Sequence, residues 1–296
     1  MSEAPLQSLD APIGLIGVGL LGSAIAERLS TAGWRVTGWD VDPGRLADLE
    51  ALGGTAAEGA GGVVGACDRI LLSLPNDEVA AEVLRSIEGA LRAGQVVVDT
   101  STGSPEAAVE QARRLRALGV SYLDATVSGS SRQLRDGEAV LMVGADDEAF
   151  EACRELFARL AARTLRTGPP GSGARMKLVT NLVLGLNRAA LAEGLAFAEA
   201  VGVDPSAALA ALAGGAAYSR AMDVKGRKMI EGDFAPQARL SQHLKDVRLI
   251  LSAAEAAGLA LPLSQAHRGL LERAEAGGLG GLDNSAVIEA IRGPRP

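Results

Sequence analysis

Ile13-Gly14-Leu15-Ile16-Gly17-Val18-Gly19-Leu20-Leu21-Gly22 is the stretch that decides the reading of this chain. Its first four residues predict a short buried strand, and Ser23 to Leu29 predicts a helix that stops at Gly33. Three glycines between them have separate jobs. Gly17 permits a tight strand-to-helix turn, Gly19 lets backbone approach a pyrophosphate, and Gly22 lets the helix pack close on the strand. The helix start at Leu20 and Leu21 adds unpaired N–H groups and a positive dipole end for phosphates. A second apolar run, Trp34 to Trp39, ends in Asp40, which is placed to accept hydrogen bonds from a ribose diol. A glycine turn alone is weak in a chain with 37 glycines, because a tight turn without a ligand looks the same. The order strand, turn, helix, strand, Asp is what points to a dinucleotide.

Further strands follow at Arg69 to Leu74, Gln95 to Asp99, Val120 to Val127, Ala139 to Val143 and Thr164 to Arg166. Helical stretches separate them, with Asp42-Pro43 and Ser104-Pro105 as start signals. This alternation predicts a mostly parallel, doubly wound α/β sheet of the Rossmann type. The pattern changes after Gly168-Pro169-Pro170-Gly171-Ser172-Gly173. Beyond it, helical periodicity runs from Ala174 to Val201 and recurs at 205–212, 241–257, 262–276 and 285–291. The chain is thus expected to hold a dinucleotide-binding domain at 1–170 and an all-α domain at 171–296, entered by a long helix. That helix is apolar nearly all round and is expected to be buried against both domains or a partner subunit.

Composition narrows the classes. At 296 residues, with 48% hydrophobic and 22% charged residues, the chain suits a soluble two-domain protein. A net charge of −7 argues against nucleic acid or an anionic membrane as partner. The apolar segment 178–201 is interrupted by Asn181, Asn187, Arg188, Glu193 and Glu199, so it is not expected to span a membrane. Met1 to Asp10 shows no signal-peptide pattern. Cys67 and Cys153 stand alone without metal-ligand spacing, which fits reduced thiols in a cytoplasmic protein. Of 29 basic residues only Lys177, Lys225, Lys228 and Lys245 are lysines. Arginine cannot give up its proton in practice, so proton transfer is one task it cannot take from lysine.

Lys177 and Asn181 lie four residues apart and share a helix face just after the glycine-rich junction. Two readings stand: solvated polar positions on a first turn, or a catalytic pair in an interdomain cleft that would lower the lysine pKa towards proton transfer. Arg188, seven residues after Asn181, either reaches a larger substrate or pairs with an acidic neighbour. Asp77 and Ser104 can serve as helix caps, and Ser128-Gly129 as a simple turn.

At this point the motifs resemble the β-hydroxyacid dehydrogenase family, of the 3-hydroxyisobutyrate dehydrogenase and tartronate semialdehyde reductase type, with 6-phosphogluconate dehydrogenase as a longer member. Gly14 to Gly22, Leu74-Pro75, Asp99 to Thr102, Asp124 to Gly129, Gly173 to Asn181 and His243-Leu244-Lys245-Asp246 fall in that family's order across essentially the whole chain. The resemblance implies that Lys177 is the general acid/base, with Asn181 beside it in substrate binding. It implies further that Ser128 and Gly129 hold a substrate carboxylate, and that Leu74, Pro75 and Thr102 line the nicotinamide. Lys245 would close over cofactor or substrate. Lys225 and Lys228 match no motif and read as surface charges. The family commonly shows Pro-Val-Ser-Gly-Gly followed by small residues, whereas this chain has Thr126-Val127-Ser128-Gly129-Ser130-Ser131-Arg132-Gln133. Arg132 and Gln133 therefore either add anion or polyol contacts to the substrate site or face solvent.

The expected cofactor is NAD, since Asp40 would repel the 2′-phosphate of NADP. Arg45 nearby keeps some use of NADP open. The expected partner is a small hydroxyacid or its semialdehyde, with no metal required, and the apolar helical half suggests a homodimer or homotetramer. Two rivals stand beside this reading: an imine reductase-like enzyme, which usually lacks the lysine, and a non-catalytic dinucleotide-sensing protein.

Overall fold

The computed structural model describes residues 11–293. It divides into two compact units, one up to Lys177 and one from Leu178 onward. In the first unit, strands β1 (Ile13–Ile16), β2 (Val36–Trp39), β3 (Thr55–Ala56), β4 (Arg69–Leu72), β5 (Val96–Asp99) and β6 (Ser121–Ser128) run parallel. Strand β7 (Val140–Gly144) pairs antiparallel with β6, and β8 (Arg163–Gly168) pairs parallel with β7. The sheet order is β3-β2-β1-β4-β5-β6-β7-β8, the doubly wound α/β arrangement that the alternating sequence pattern predicts.

Helices α1 (Leu20–Thr31), α2 (Pro43–Ala51), α3 (Ala60–Ala66), α4 (Asp77–Ile87) and α5 (Pro105–Arg116) connect the parallel strands. The short helices α6 (Ser131–Arg135), α7 (Asp147–Ala152) and α8 (Arg154–Leu160) serve the reversed end of the sheet. Leu15, Ile25, Leu29, Leu123, Leu141 and Phe157 form the core on one face, where α1 and α8 pack. Ile16, Val64, Ile70, Leu84, Val97 and Leu115 form it on the other, under α3, α4 and α5. With both faces covered, β1, β5 and most of β4 and β6 are buried runs rather than alternating ones. Asp42 and Ser104 cap α2 and α5 ahead of Pro43 and Pro105, as their sequence signals indicate.

Helix α9 (Ser172–Ala200) begins in the first unit and continues into the second. The second unit adds α10 (Pro205–Ala213), α11 (Arg227–Glu231), α12 (Leu240–Ala256), α13 (Pro262–Ala274) and α14 (Glu289–Arg292). Leu191, Leu195, Met229, Leu244, Val247, Leu271 and Val287 make its core. Two elements differ from the sequence reading. Strand β3 is only two residues long, too short for a periodic signal. The helical segment of Met222–Gly226 and α11 passes through Gly226, and its π-turn breaks the 3.6-residue repeat. On α9, Val179, Val183 and Phe197 are exposed in the single chain, where the sequence reading expects cover from both domains or from a partner subunit.

Candidate active site

In the first unit the strand order reverses at β1, which has β2 on one side and β4 on the other, so the loops at the carboxyl ends of these strands frame the crevice where such folds bind ligands. Gly17 has φ +95°, and a Cβ there would lie 2.3 Å from Ser73 O in the β4 loop. Gly22 is equally constrained, since its Cβ would lie 2.0 Å from Gly17 O. Gly19 is different. It precedes α1 in extended backbone, offers no side-chain cap, and has nothing among the described residues within 4 Å of where a Cβ would stand. The first turn of α1, opened by the exposed Leu20 and the half-buried Leu21, thus has N–H groups and open space where a pyrophosphate needs both.

Asp40 closes the other side of the turn. Its Oδ2 accepts from Val18 N at 2.6 Å and its Oδ1 from Asp42 N at 2.9 Å. Each carboxylate oxygen keeps a second acceptor site for a ribose hydroxyl. The residues present therefore fit a dinucleotide. The β4 and β5 loops are tied to each other: Leu74 N donates to Ser101 Oγ at 3.1 Å and Ser104 N to Asp77 Oδ2 at 2.8 Å. Asp77 bridges these loops, while Asn76 caps α4. Leu74 and Thr102 are half-buried and Pro75 is exposed.

Strand β6 is twice as long as β5, and its last four residues pair only with β7. This projection carries Thr126, Val127 and Ser128 beyond the ends of the parallel strands. There Lys177 Nζ donates to Val127 O at 2.6 Å, against the peptide that leads into Ser128. The half-buried Ser128 precedes Gly129, whose φ of +144° turns the chain off the strand. Lys177 and Ser128, 49 positions apart, are thus brought together. Arg132 is not: its side chain is 84% exposed and its Nε lies 3.7 Å from Asp136. Gln133 completes a capping box for α6, accepting from Ser130 N while Ser130 Oγ accepts from Gln133 N. The Ser-x-x-Gln spacing is a readable signal for that box.

Within the second unit, the buried Asn181 donates through Nδ2 to Asp246 Oδ2 at 3.0 Å. Asp246 belongs to the His243-Leu244-Lys245-Asp246 motif, and its bond to Asn181 joins residues 65 positions apart, a pairing that carries no local sequence signal. The half-buried Lys245 precedes it on α12. At Gly185, one turn after Asn181, a Cβ would lie 2.7 Å from His243 Nε2 and 2.8 Å from His267 Cε1. Glycine lets this imidazole pair, with centroids 5.1 Å apart, lie directly on α9. Burial, helped by the Arg188 charge, pushes His267 down to about 4.

Two expectations about charge are corrected here. Arg188 is buried, and among the described residues its Nε and Nη1 have no hydrogen-bond partner. Burial lowers its pKa to about 10, against the pull of Asp283 and Asp246. Among the described residues it forms no ion pair with an acidic neighbour, one of the two readings its position allowed. Lys225 is not a surface charge: it is 7% exposed and holds Asp283 Oδ1 and Oδ2 at 2.8 and 2.9 Å. Lys228 also turns inward, with a side chain 12% exposed and Nζ 3.1 Å from Asp233 Oδ2.

Comparison with known proteins adds to this geometry. Residues 12–168 match the model for the NAD binding domain of 6-phosphogluconate dehydrogenase. Residues 171–291 match that for the NAD-binding domain of NADP-dependent 3-hydroxyisobutyrate dehydrogenase. The chain is 35% identical over 283 residues to 2-hydroxy-3-oxopropionate reductase of Escherichia coli (strain K12), covering 94% of this chain and 96% of that protein. It is 34% identical over 281 residues to 2-(hydroxymethyl)glutarate dehydrogenase of Eubacterium barkeri, covering 94% and 93%. Among solved structures, a 3-hydroxyisobutyrate dehydrogenase from Salmonella typhimurium superposes with a TM-score of 0.88 at 29% identity, covering 95% of this chain and 99% of that one.

Proposed function

This chain belongs to the β-hydroxyacid dehydrogenase family, and we propose that it interconverts a short-chain β-hydroxyacid and its semialdehyde with NAD as the hydride partner. The observation that carries this reading is the bond from Lys177 Nζ to Val127 O at 2.6 Å, beside Ser128. When bound, NAD takes up or returns the hydride of the alcohol carbon.

Loss of hydride leaves a carbonyl only if the hydroxyl proton also departs. Neutral Lys177 keeps an N–H for Val127 O and uses its Nζ lone pair to take that proton. In the reductive direction the ammonium gives it back. Ser128 Oγ and Gly129 N–H hold the substrate carboxylate, so that the alcohol is presented in one orientation. Asn181 is assigned to substrate binding; its bond to Asp246 fixes the amide and leaves its carbonyl oxygen as an acceptor. Lys245 is assigned to closing over cofactor or substrate.

On the cofactor side, Gly17, Gly19 and Gly22, with the N–H groups at Leu20 and Leu21, hold the pyrophosphate. Leu74, Pro75 and Thr102 line the nicotinamide. Asp40 takes the ribose diol and repels a 2′-phosphate, which favours NAD while leaving NADP as the weaker cofactor. The exposed apolar side chains of Val179, Val183 and Phe197 support self-association with a second copy, as a dimer or tetramer. The free buried thiols of Cys67 and Cys153 fit the reducing cytoplasm. No helix among the described residues is long and apolar enough to cross a membrane.

The test is NAD reduction with 3-hydroxyisobutyrate, glycerate, threonate, serine and 4-hydroxybutyrate. Turnover of at least one supports the reading; a soluble, NAD-binding preparation that turns over none of them contradicts it.

A further inference from the structure

Three positions of β6 grip the start of α9. Asp124 Oδ1 accepts from Gly171 N at 2.7 Å, and its Oδ2 accepts from Ala174 N at 2.7 Å. Thr126 Oγ1, buried, donates towards Gly173 O at 3.1 Å and Met142 O at 3.3 Å. Val127 O receives Lys177 Nζ. Glycines on both sides allow the approach. A Cβ at Gly173 would lie 2.6 Å from both Asp124 O and Met142 O, and one at Gly144 would lie 2.4 Å from Asp124 Oδ1.

We propose that Asp124 and Thr126 are positioning residues for Lys177: by fixing the first turn of α9 to β6, they set where Nζ stands relative to Ser128. The proposal rests on the assignment of Lys177 as the proton-transfer group. Neither side chain touches the reacting atoms. Each acts through the helix that carries the lysine, and a displacement of about 1 Å at such a group costs about 100-fold in rate.

The Asp124 carboxyl adds a pH signature. Burial pushes it up to about 6, against the two backbone N–H groups that favour its ionised form. The charged or titratable groups around it are Asp99, its register partner on β5, Tyr122 on its own strand, and Asp77 at the start of α4. Strand β7 presents Gly144, and the start of α9 carries Arg175 and Lys177. Protonated Asp124 has one oxygen that donates, so it cannot serve both N–H groups. The clamp then opens on one side.

Semialdehyde reduction isolates this effect, because acid keeps Lys177 in the ammonium form that the reaction uses. Wild-type kcat should fall as pH drops through about 6. Asp124→Asn should lower kcat about 10- to 100-fold, remove that acid limb, and leave NADH affinity and circular dichroism near wild type. Thr126→Val should lower kcat in the same direction, with Thr126→Ser restoring it, which keeps the proposal testable if Asp124→Asn fails to fold. Wild-type kcat in Asp124→Asn, or an acid limb that persists in it, overturns the clamp. So does Thr126→Val indistinguishable from wild type. Full turnover by Lys177→Ala would instead overturn the lysine assignment itself, which separates the two failures.

Discussion

Lys177 Nζ donates to Val127 O at 2.6 Å, and Ser128 is the next residue on the same strand. One strand thus sets both the group assigned to the proton and the group assigned to the carboxylate. That arrangement makes their separate roles measurable.

Ser128→Ala should raise KM for the hydroxyacid about 10- to 100-fold, because a hydrogen bond to a charged group contributes about 1.5–3 kcal/mol. KM for NAD should stay as it is. Steady-state kinetics with each substrate varied in turn checks this, and equal rises in both KM values would count against a carboxylate role.

Asp40→Asn should weaken NAD and narrow the gap to NADP, since the substitution removes the charge facing the ribose. The Oδ2 bond from Val18 N at 2.6 Å suggests that the glycine turn also loosens. The ratio of kcat/KM for the two cofactors should shift towards NADP by about 10-fold or more, as expected for a change of about 1.4 kcal/mol. An unchanged ratio would remove Asp40 from cofactor choice.

Gly173→Ala should destabilise the chain by about 1–3 kcal/mol, the usual cost of overpacking. Its Cβ would meet backbone oxygens on β6 and β7 rather than a flexible side chain. Urea unfolding at matched pH measures the difference, and a midpoint equal to wild type would show that the junction yields without cost.

The Lys225–Asp283 pair should be a stability element. Burial pushes the Asp283 carboxyl up, but the Lys225 ammonium and the N–H and O–H donors around it pull harder, leaving it at about 2. A carboxyl depressed in the folded state contributes stability that is present above its unfolded pKa of about 4 and lost as pH falls towards 2. Lys225→Met should therefore cost about 3–5 kcal/mol at neutral pH, with a smaller penalty at pH 2–3. Denaturant titrations at both pH values decide it.

Much of the site was legible because its signals are local. The strand, the glycine turn, Asp40 and the four-residue spacing of Lys177 and Asn181 each lie within one element or one turn. What escaped depends on distance along the chain. Asp124 works by accepting from Gly171 N and Ala174 N, and backbone donors leave no mark in a sequence. Lys225 reads as a surface charge until Asp283, 58 positions away, is folded against it. Gly185 looks like a tolerated helix defect until two histidines from other helices fill its Cβ position.

The most direct test of the account compares Lys177→Ala with wild type in two measurements on the same preparation: NAD affinity by calorimetry, and kcat for the hydroxyacid found by screening. The account predicts unchanged NAD affinity and a kcat lower by about 100- to 10,000-fold, the range lost with a general acid/base. A kcat equal to wild type in Lys177→Ala would contradict it.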